Sequence, residues 1–171
     1  IRSIALMALC VGIWGASVQA QARASLISAT SPEPVSATTQ RGPVTNLPMP
    51  RYVSTKSPKV NVRRGPSLTH RIDWVFKRRA MPLEIIGEYG HWRRVRDRDG
   101  AGGWVHYSLL SGIRTVIIEQ DMLVLHRTPD EKSEPMAIAE AGVIARLGKC
   151  SQKWCRITAE GHRGWAEKTA L

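Results

Sequence analysis

Trp92-Arg93-Arg94-Val95-Arg96-Asp97-Arg98-Asp99-Gly100-Ala101-Gly102-Gly103-Trp104-Val105-His106-Tyr107-Ser108-Leu109-Leu110 is the stretch that decides the fold. It reads as a strand, a tight turn, a second strand and a short terminal turn. Asp99-Gly100 marks the turn, because glycine supplies the positive φ that a hairpin needs. The pattern then returns: Trp154-Cys155-Arg156-Ile157 leads through Gly161 to Gly164-Trp165-Ala166 and ends on Leu171. Trp92 and Trp154 are 62 positions apart, while Trp104 and Trp165, like Leu110 and Leu171, are 61 apart. A chain that repeats its turn, its tryptophans and its ending at one period consists of two copies of one unit.

Outward from the hairpin, the first copy spans residues 51–111. Val60-Asn61-Val62 alternates as a strand, Arg63 to Ser67 breaks it, Ile72 to Lys77 is a short strand, and Leu83 to Tyr89 follows Pro82. Proline cannot donate to a ladder but is tolerated at a strand's first residue. The second copy spans residues 112–171. At a spacing of 63, Val53, Val60, Val62, Arg64 and Pro66 fall on Val116, Leu123, Leu125, Arg127 and Pro129. Short strands separated by Gly and Pro argue an all-β chain of two tandem small barrels. A unit of about 60 residues buries only ~60% of its extended surface, so each copy is expected to be marginally stable. Ser111-Gly112-Ile113 leaves almost no linker between them, so the copies are expected to pack side by side.

Val60-Asn61-Val62-Arg63-Arg64-Gly65-Pro66-Ser67, with Trp92-x-x-Val95 and Gly100-x-x-Gly103-Trp104-Val105, resembles the bacterial SH3 (Src-homology 3) domain pattern. The tandem layout is similar to a secreted alphaproteobacterial family of double SH3-like proteins. The resemblance implies an SH3-like barrel in each copy and recognition of cell-wall peptidoglycan or envelope proteins. The second copy departs from the pattern where Thr128 replaces the loop glycine and Leu123-Val124-Leu125 lacks the asparagine.

Before the first copy, Ile4 to Val18 is a 15-residue run without charge, preceded by Arg2 and followed by small-x-small patterns ending at Ala20 and Ala22. This is the layout of a secretory signal peptide over residues 1–22, too short and too interrupted by Gly12, Gly15 and Ser17 for a membrane span. Because the chain opens on Ile1, part of the charged lead is expected to be missing, and Cys10 is read as a removed residue. Residues 23–50 carry five prolines among Ser, Thr and Ala without apolar period, and are expected to be a disordered tether. The mature protein is therefore expected in the periplasm or outside the cell, with no transmembrane segment.

The formal net charge of +11 divides as +2 over residues 1–47, +8 over residues 48–112 and +1 over residues 113–171. Concentration of charge in the first copy suggests an anionic partner, against the plainer reading of a solvated surface. At 43% hydrophobic and 23% charged residues, wholesale disorder is excluded.

If Val95 points inward, Trp92, Arg94 and Arg96 share the outer face, and Trp104 and His106 join them from the next strand. Indoles stack on sugar or peptide planes and attract cations, and guanidiniums pair with carboxylate or phosphate. The candidate binding residues are Trp92, Arg94, Arg96, Trp104 and Tyr107. The competing view is that the tryptophans cap the small core and the arginines are only solvated. Cys150 and Cys155, on neighbouring strands across a tight connection, are expected to form a disulfide in an oxidising compartment. A redox pair, a metal site and free thiols are the alternatives. The five histidines have no paired metal spacing, and no G-x-S-x-G, H-E-x-x-H or phosphate-cradling loop occurs, so no cofactor, metal or catalytic residue is expected.

The expected function is non-catalytic binding of peptidoglycan or anionic envelope groups. The alternative is an adaptor that binds peptide segments of an envelope protein, with an accessory fragment of a wall hydrolase a more distant third. Nucleic acid fits the charge but not an exported protein.

Overall fold

The computed structural model describes residues 40–171, so the expected signal peptide and residues 23–39 of the expected tether lie outside the described residues. The first barrel is preceded by a small hairpin of β1 (Gln40–Arg41) and β2 (Pro48–Met49). It then runs through β3 (Arg51–Thr55), β4 (Val60–Arg63), β5 (Ile72–Phe76), β6 (Pro82–Tyr89), β7 (Trp92–Arg96) and β8 (Gly102–His106). A 3-10 turn (Tyr107–Leu109) and β9 (Leu110–Ser111) complete it. The second barrel comprises β10 (Thr115–Ile117), β11 (Leu123–His126), β12 (Pro135–Ala139), β13 (Ile144–Cys150), β14 (Trp154–Ala159) and β15 (His162–Glu167), closed by a 3-10 turn (Lys168–Ala170). The sheet orders are β5-β4-β8-β7-β6-β3-β9 and β12-β11-β15-β14-β13-β10. The shared strands follow one topology twice, as the repeat predicts.

Each barrel has its own core, placed by strand alternation. Val60, Val62, Phe76, Leu83, Ile85, Val95 and Val105 fill the first. Leu123, Leu125, Ile157 and a set of alanines (Ala139, Ala145, Ala159, Ala166, Ala170) fill the second. Phe76 and Val105 thus give way to Ala139 and Ala166 at equivalent positions. The smaller core contains Cys155, which pairs directly across β13 and β14 with Cys150 in the expected disulfide.

The glycine before each barrel-closing tryptophan has a packing reason. β4 meets β8 at Arg63 and Trp104, and β11 meets β15 at His126 and Trp165. A Cβ on Gly103 would stand 2.7 Å from the Arg63 carbonyl oxygen, and one on Gly164 2.6 Å from Leu125 Cβ. Only glycine lets the two strands approach closely enough to meet. Gly100, at φ +86°, turns the β7–β8 hairpin as its sequence implies.

The expected tether requires a correction from Gln40 onward, where the chain is built into the first barrel. The β1–β2 hairpin sits on the buried carboxylate of Glu88. Glu88 accepts from the Val44 and Thr45 amides at 3.1 and 2.9 Å and from the Thr45 hydroxyl at 2.7 Å. Arg51 donates to it at 2.6 Å, and Arg93 lies 3.5 Å away. Met49 enters the core. Burial alone would raise the Glu88 pKa, but the Thr45, Arg51 and Val44 donors outweigh it and lower the value to about 2. Proline-rich composition hid this because the anchoring group lies far along the chain.

The barrels touch as their short junction implies. Thr115 donates to the Ala80 carbonyl at 2.7 Å, Arg78 donates to the Gly142 carbonyl at 2.8 Å, and Arg98 pairs with Glu119 at 3.4 Å. No helix among the described residues is long and apolar enough to cross a membrane.

Candidate functional site

β6, β7, β8 and β4 lie side by side and present one outer face. Its side chains follow from strand parity and from the register of the pairs. Trp92 stands opposite Tyr89 on one side and His106 on the other. In the next row Gly87, Arg94, Trp104 and Arg63 follow one another across the four strands. In the third row Arg96 lies between Glu84 and Gly102. A one-residue bulge between Ile85 and Gly87 sets these partners. It also turns Glu88 inward toward Arg93, which shares the inner parity of Val95.

The aromatic end of the face is continuous. Trp92 meets His106 edge-on at 5.5 Å between ring centroids, His106 meets Tyr107 at 5.0 Å, and Tyr107 meets His91 at 5.6 Å. The His106 Nδ1 lies 2.7 Å from the Ser108 hydroxyl, which holds the imidazole at the start of the terminal turn. Trp92 and Trp104 are half-buried and Tyr107 is exposed. The indoles therefore rest partly on the barrel and leave part of their surface free.

The arginines divide. Arg94 is exposed and, among the described residues, has no ion-pair partner. A Cβ on Gly87 would come 3.3 Å from Arg94 Cβ, so the glycine leaves room for the arginine stem. Arg96 shares the face, but its guanidinium is engaged by Glu84 at 2.5 Å, which raises its pKa further. The structure thus brings Trp92, Arg94 and Trp104 into adjacent rows, joins Tyr107 to them through His106, and ties Arg96 to its own strand partner. Arg63 and His91 are further members that the sequence did not single out. Arg63 donates to the Leu68 and His70 carbonyls at 2.9 and 2.6 Å and so braces the loop beside the face.

The second barrel repeats part of this arrangement. Arg156 is opposite Trp165, which is opposite His126, and a Cβ on Gly148 would lie 3.6 Å from Arg156 Cβ. Trp154, equivalent to Trp92, is opposite Glu167 where the first barrel has His106.

Sequence reasoning missed a second concavity. A groove of about 670 Å³ runs along the free edge of β5, lined among others by Ile72, Trp74, Phe76, Met81, Arg78 and Asp97. Trp74 is 48% exposed there, a large apolar surface on a strand paired on one side only. The alternation of Ile72, Trp74 and Phe76 was the available signal, and it reads equally well as core. Among the described residues, no group of three His, Cys, Asp or Glu is placed to hold a metal.

The family comparison agrees with this architecture. Residues 56–112 and 119–171 each match the family described as Bacterial SH3 domain. Among curated proteins none matches the chain. Among solved structures, NlpC2 from Trichomonas vaginalis is similar at 17% identity and a TM-score of 0.32, covering 70% of this chain and 46% of the other. NlpC1 from Trichomonas vaginalis is similar at 17% identity and a TM-score of 0.31, covering 70% of this chain and 44% of the other. The chain thus spans less than half the length of those two structures. With one strand order found twice and a family match over each copy, this chain belongs to the bacterial SH3 domain family.

Proposed function

We propose that this protein is an exported, non-catalytic binding module whose first barrel recognises anionic groups of the cell wall, with peptidoglycan as the substrate class. The observation that carries this reading is Arg94: an exposed guanidinium without a partner among the described residues, in the row beside Trp92 and directly opposite Trp104. Indole surfaces suit the faces of sugars, and a free guanidinium suits the carboxylates of wall peptides. The +8 charge over residues 48–112 favours the same class of ligand. The leading apolar run supports export. Co-sedimentation with purified peptidoglycan tests the proposal. Retention is expected for the full chain, with a clear loss in Arg94→Ala and Trp92→Ala and an unchanged melting curve for Arg94→Ala. Equal retention of the chain and both variants, or none at all, rejects it.

A second reading rests on the groove beside β5. An unpaired strand edge next to Trp74 suits an extended peptide that would add to the sheet, as an envelope adaptor requires. Recovery of one defined partner from envelope extract, lost in Trp74→Ala and accompanied by no wall retention, would favour this reading over the first.

A further inference from the structure

We propose that the second barrel carries a groove around Trp154 that takes a primary ammonium group, such as the side chain of a lysine-type residue in a peptide. The groove has a volume of about 250 Å³, and Met122, His126, Glu131, Trp154 and Glu167 are among its lining residues. The duplication supplies a comparison within one molecule. At the equivalent positions the first barrel has Lys59, Arg63, Leu68, Trp92 and His106. The tryptophan is kept and the charge around it is inverted: three basic or imidazole side chains become one methionine, one imidazole and one carboxylate, and Leu68 becomes a second carboxylate. The register supports the most telling exchange, since Trp92 faces His106 and Trp154 faces Glu167 across the same pair of strands.

The chemistry of the groove favours an ammonium over an anion or a neutral group. Neither Glu131 nor Glu167 has an ion-pair partner among the described residues. His126 stands edge-on to Trp154 at 5.6 Å and 86°. Its Nδ1 donates to the Ser133 carbonyl oxygen at 3.0 Å, which fixes the ring against the indole. An ammonium has three N–H donors and no acceptor, and the groove lining offers it two carboxylates and an indole. Lys153 and Lys168, neighbours in sequence of Trp154 and Glu167, do not line the groove. The inference does not depend on what the first barrel binds.

The test uses the full chain in an NMR titration with Nα-acetyl-lysine N-methylamide, with its Nε-acetylated form as the neutral control. The charged probe is expected to shift the Trp154 indole N–H resonance saturably, while the neutral probe leaves it in place and the Trp92 indole does not follow. Glu131→Gln lies in an exposed loop and should weaken binding by roughly two- to fivefold, the range for one exposed ion pair. Glu131→Gln combined with Glu167→Gln should abolish the shift with the rest of the amide spectrum retained. Should the double variant lose its native spectrum, the Glu131→Gln titration decides alone. A non-saturable shift, an equal response to the neutral probe, or unchanged affinity in Glu131→Gln overturns the proposal. Peptidoglycan retention through Arg94 can succeed or fail independently of this outcome.

Discussion

Glu88 is a residue whose role depends on its partners more than on its own chemistry. Four donors hold its buried carboxylate ionised, with the pKa lowered from 4.5 to about 2. The folded state therefore resists protonation that the unfolded chain accepts. Its stabilisation is complete above pH 4.5 and drains away as pH falls toward 2. The full effect is about 3 kcal/mol, and acid titration followed by thermal melting should reveal it in the wild type but not in Glu88→Gln. At neutral pH, Glu88→Gln should itself cost about 3 kcal/mol, because Arg51 and Arg93 lose their counter-ion. Hydrogen exchange at the Val44 and Thr45 amides would report the loosened hairpin directly. Arg94 and Arg96 make a matched pair of tests on the outer face. Arg94→Ala should lower retention on peptidoglycan, and Arg96→Ala should leave it nearly unchanged, since its guanidinium already answers to Glu84. The outward parity of Trp92, Arg94 and Arg96 was legible from Val95 alone. The loss of Arg96 to Glu84 was not, because it depends on a bulge in β6 that no local pattern announces.

The disulfide and the closing glycines act on whole strands. The bulge between Leu147 and Cys150 shifts β13 by one residue and brings Cys150 opposite Cys155. Closing that short loop stabilises the second barrel by about 2 kcal/mol on the chain-entropy model. With a core of alanines where the first barrel has Phe76 and Val105, the second barrel should be the one that melts earlier on reduction. Calorimetry with and without reductant, or Cys150→Ser with Cys155→Ser, should lower one transition and leave the other in place. Gly103→Ala and Gly164→Ala should each cost roughly 2 kcal/mol in their own barrel, since an added methyl has no room at the strand crossing. These elements were readable because their markers are short-range: the Asp99-Gly100 turn, the two Gly-Trp closures and a cysteine pair. The β1–β2 hairpin was not, since its seat is Glu88, more than forty positions beyond Val44 and Thr45. A composition rich in proline and serine describes only the local chain.

Across the whole molecule, duplication has kept the barrel and let the surfaces diverge. Glu88 and Arg93 are buried and cancel each other, so the +8 and +1 charges of the two halves come from the remaining residues, outside the buried interior. Retention on an anionic polymer should therefore fall steeply as salt rises, and neutralising exposed first-barrel cations such as Lys59 and Arg79 should flatten that dependence more than equal changes in the second barrel. Sedimentation across a salt series measures both slopes. The division into two units was plain in the sequence, whereas the grooves were not, because each is assembled from loops and strand edges distant in the chain. One further consequence follows from the hairpin seated on Glu88. The amides of Val44 and Thr45 and the guanidinium of Arg51 converge on that one carboxylate, so the hairpin, the start of β3 and β6 are fastened at a single point. A change at this one carboxylate should therefore loosen the hairpin and the entry of β3 together, not one after the other.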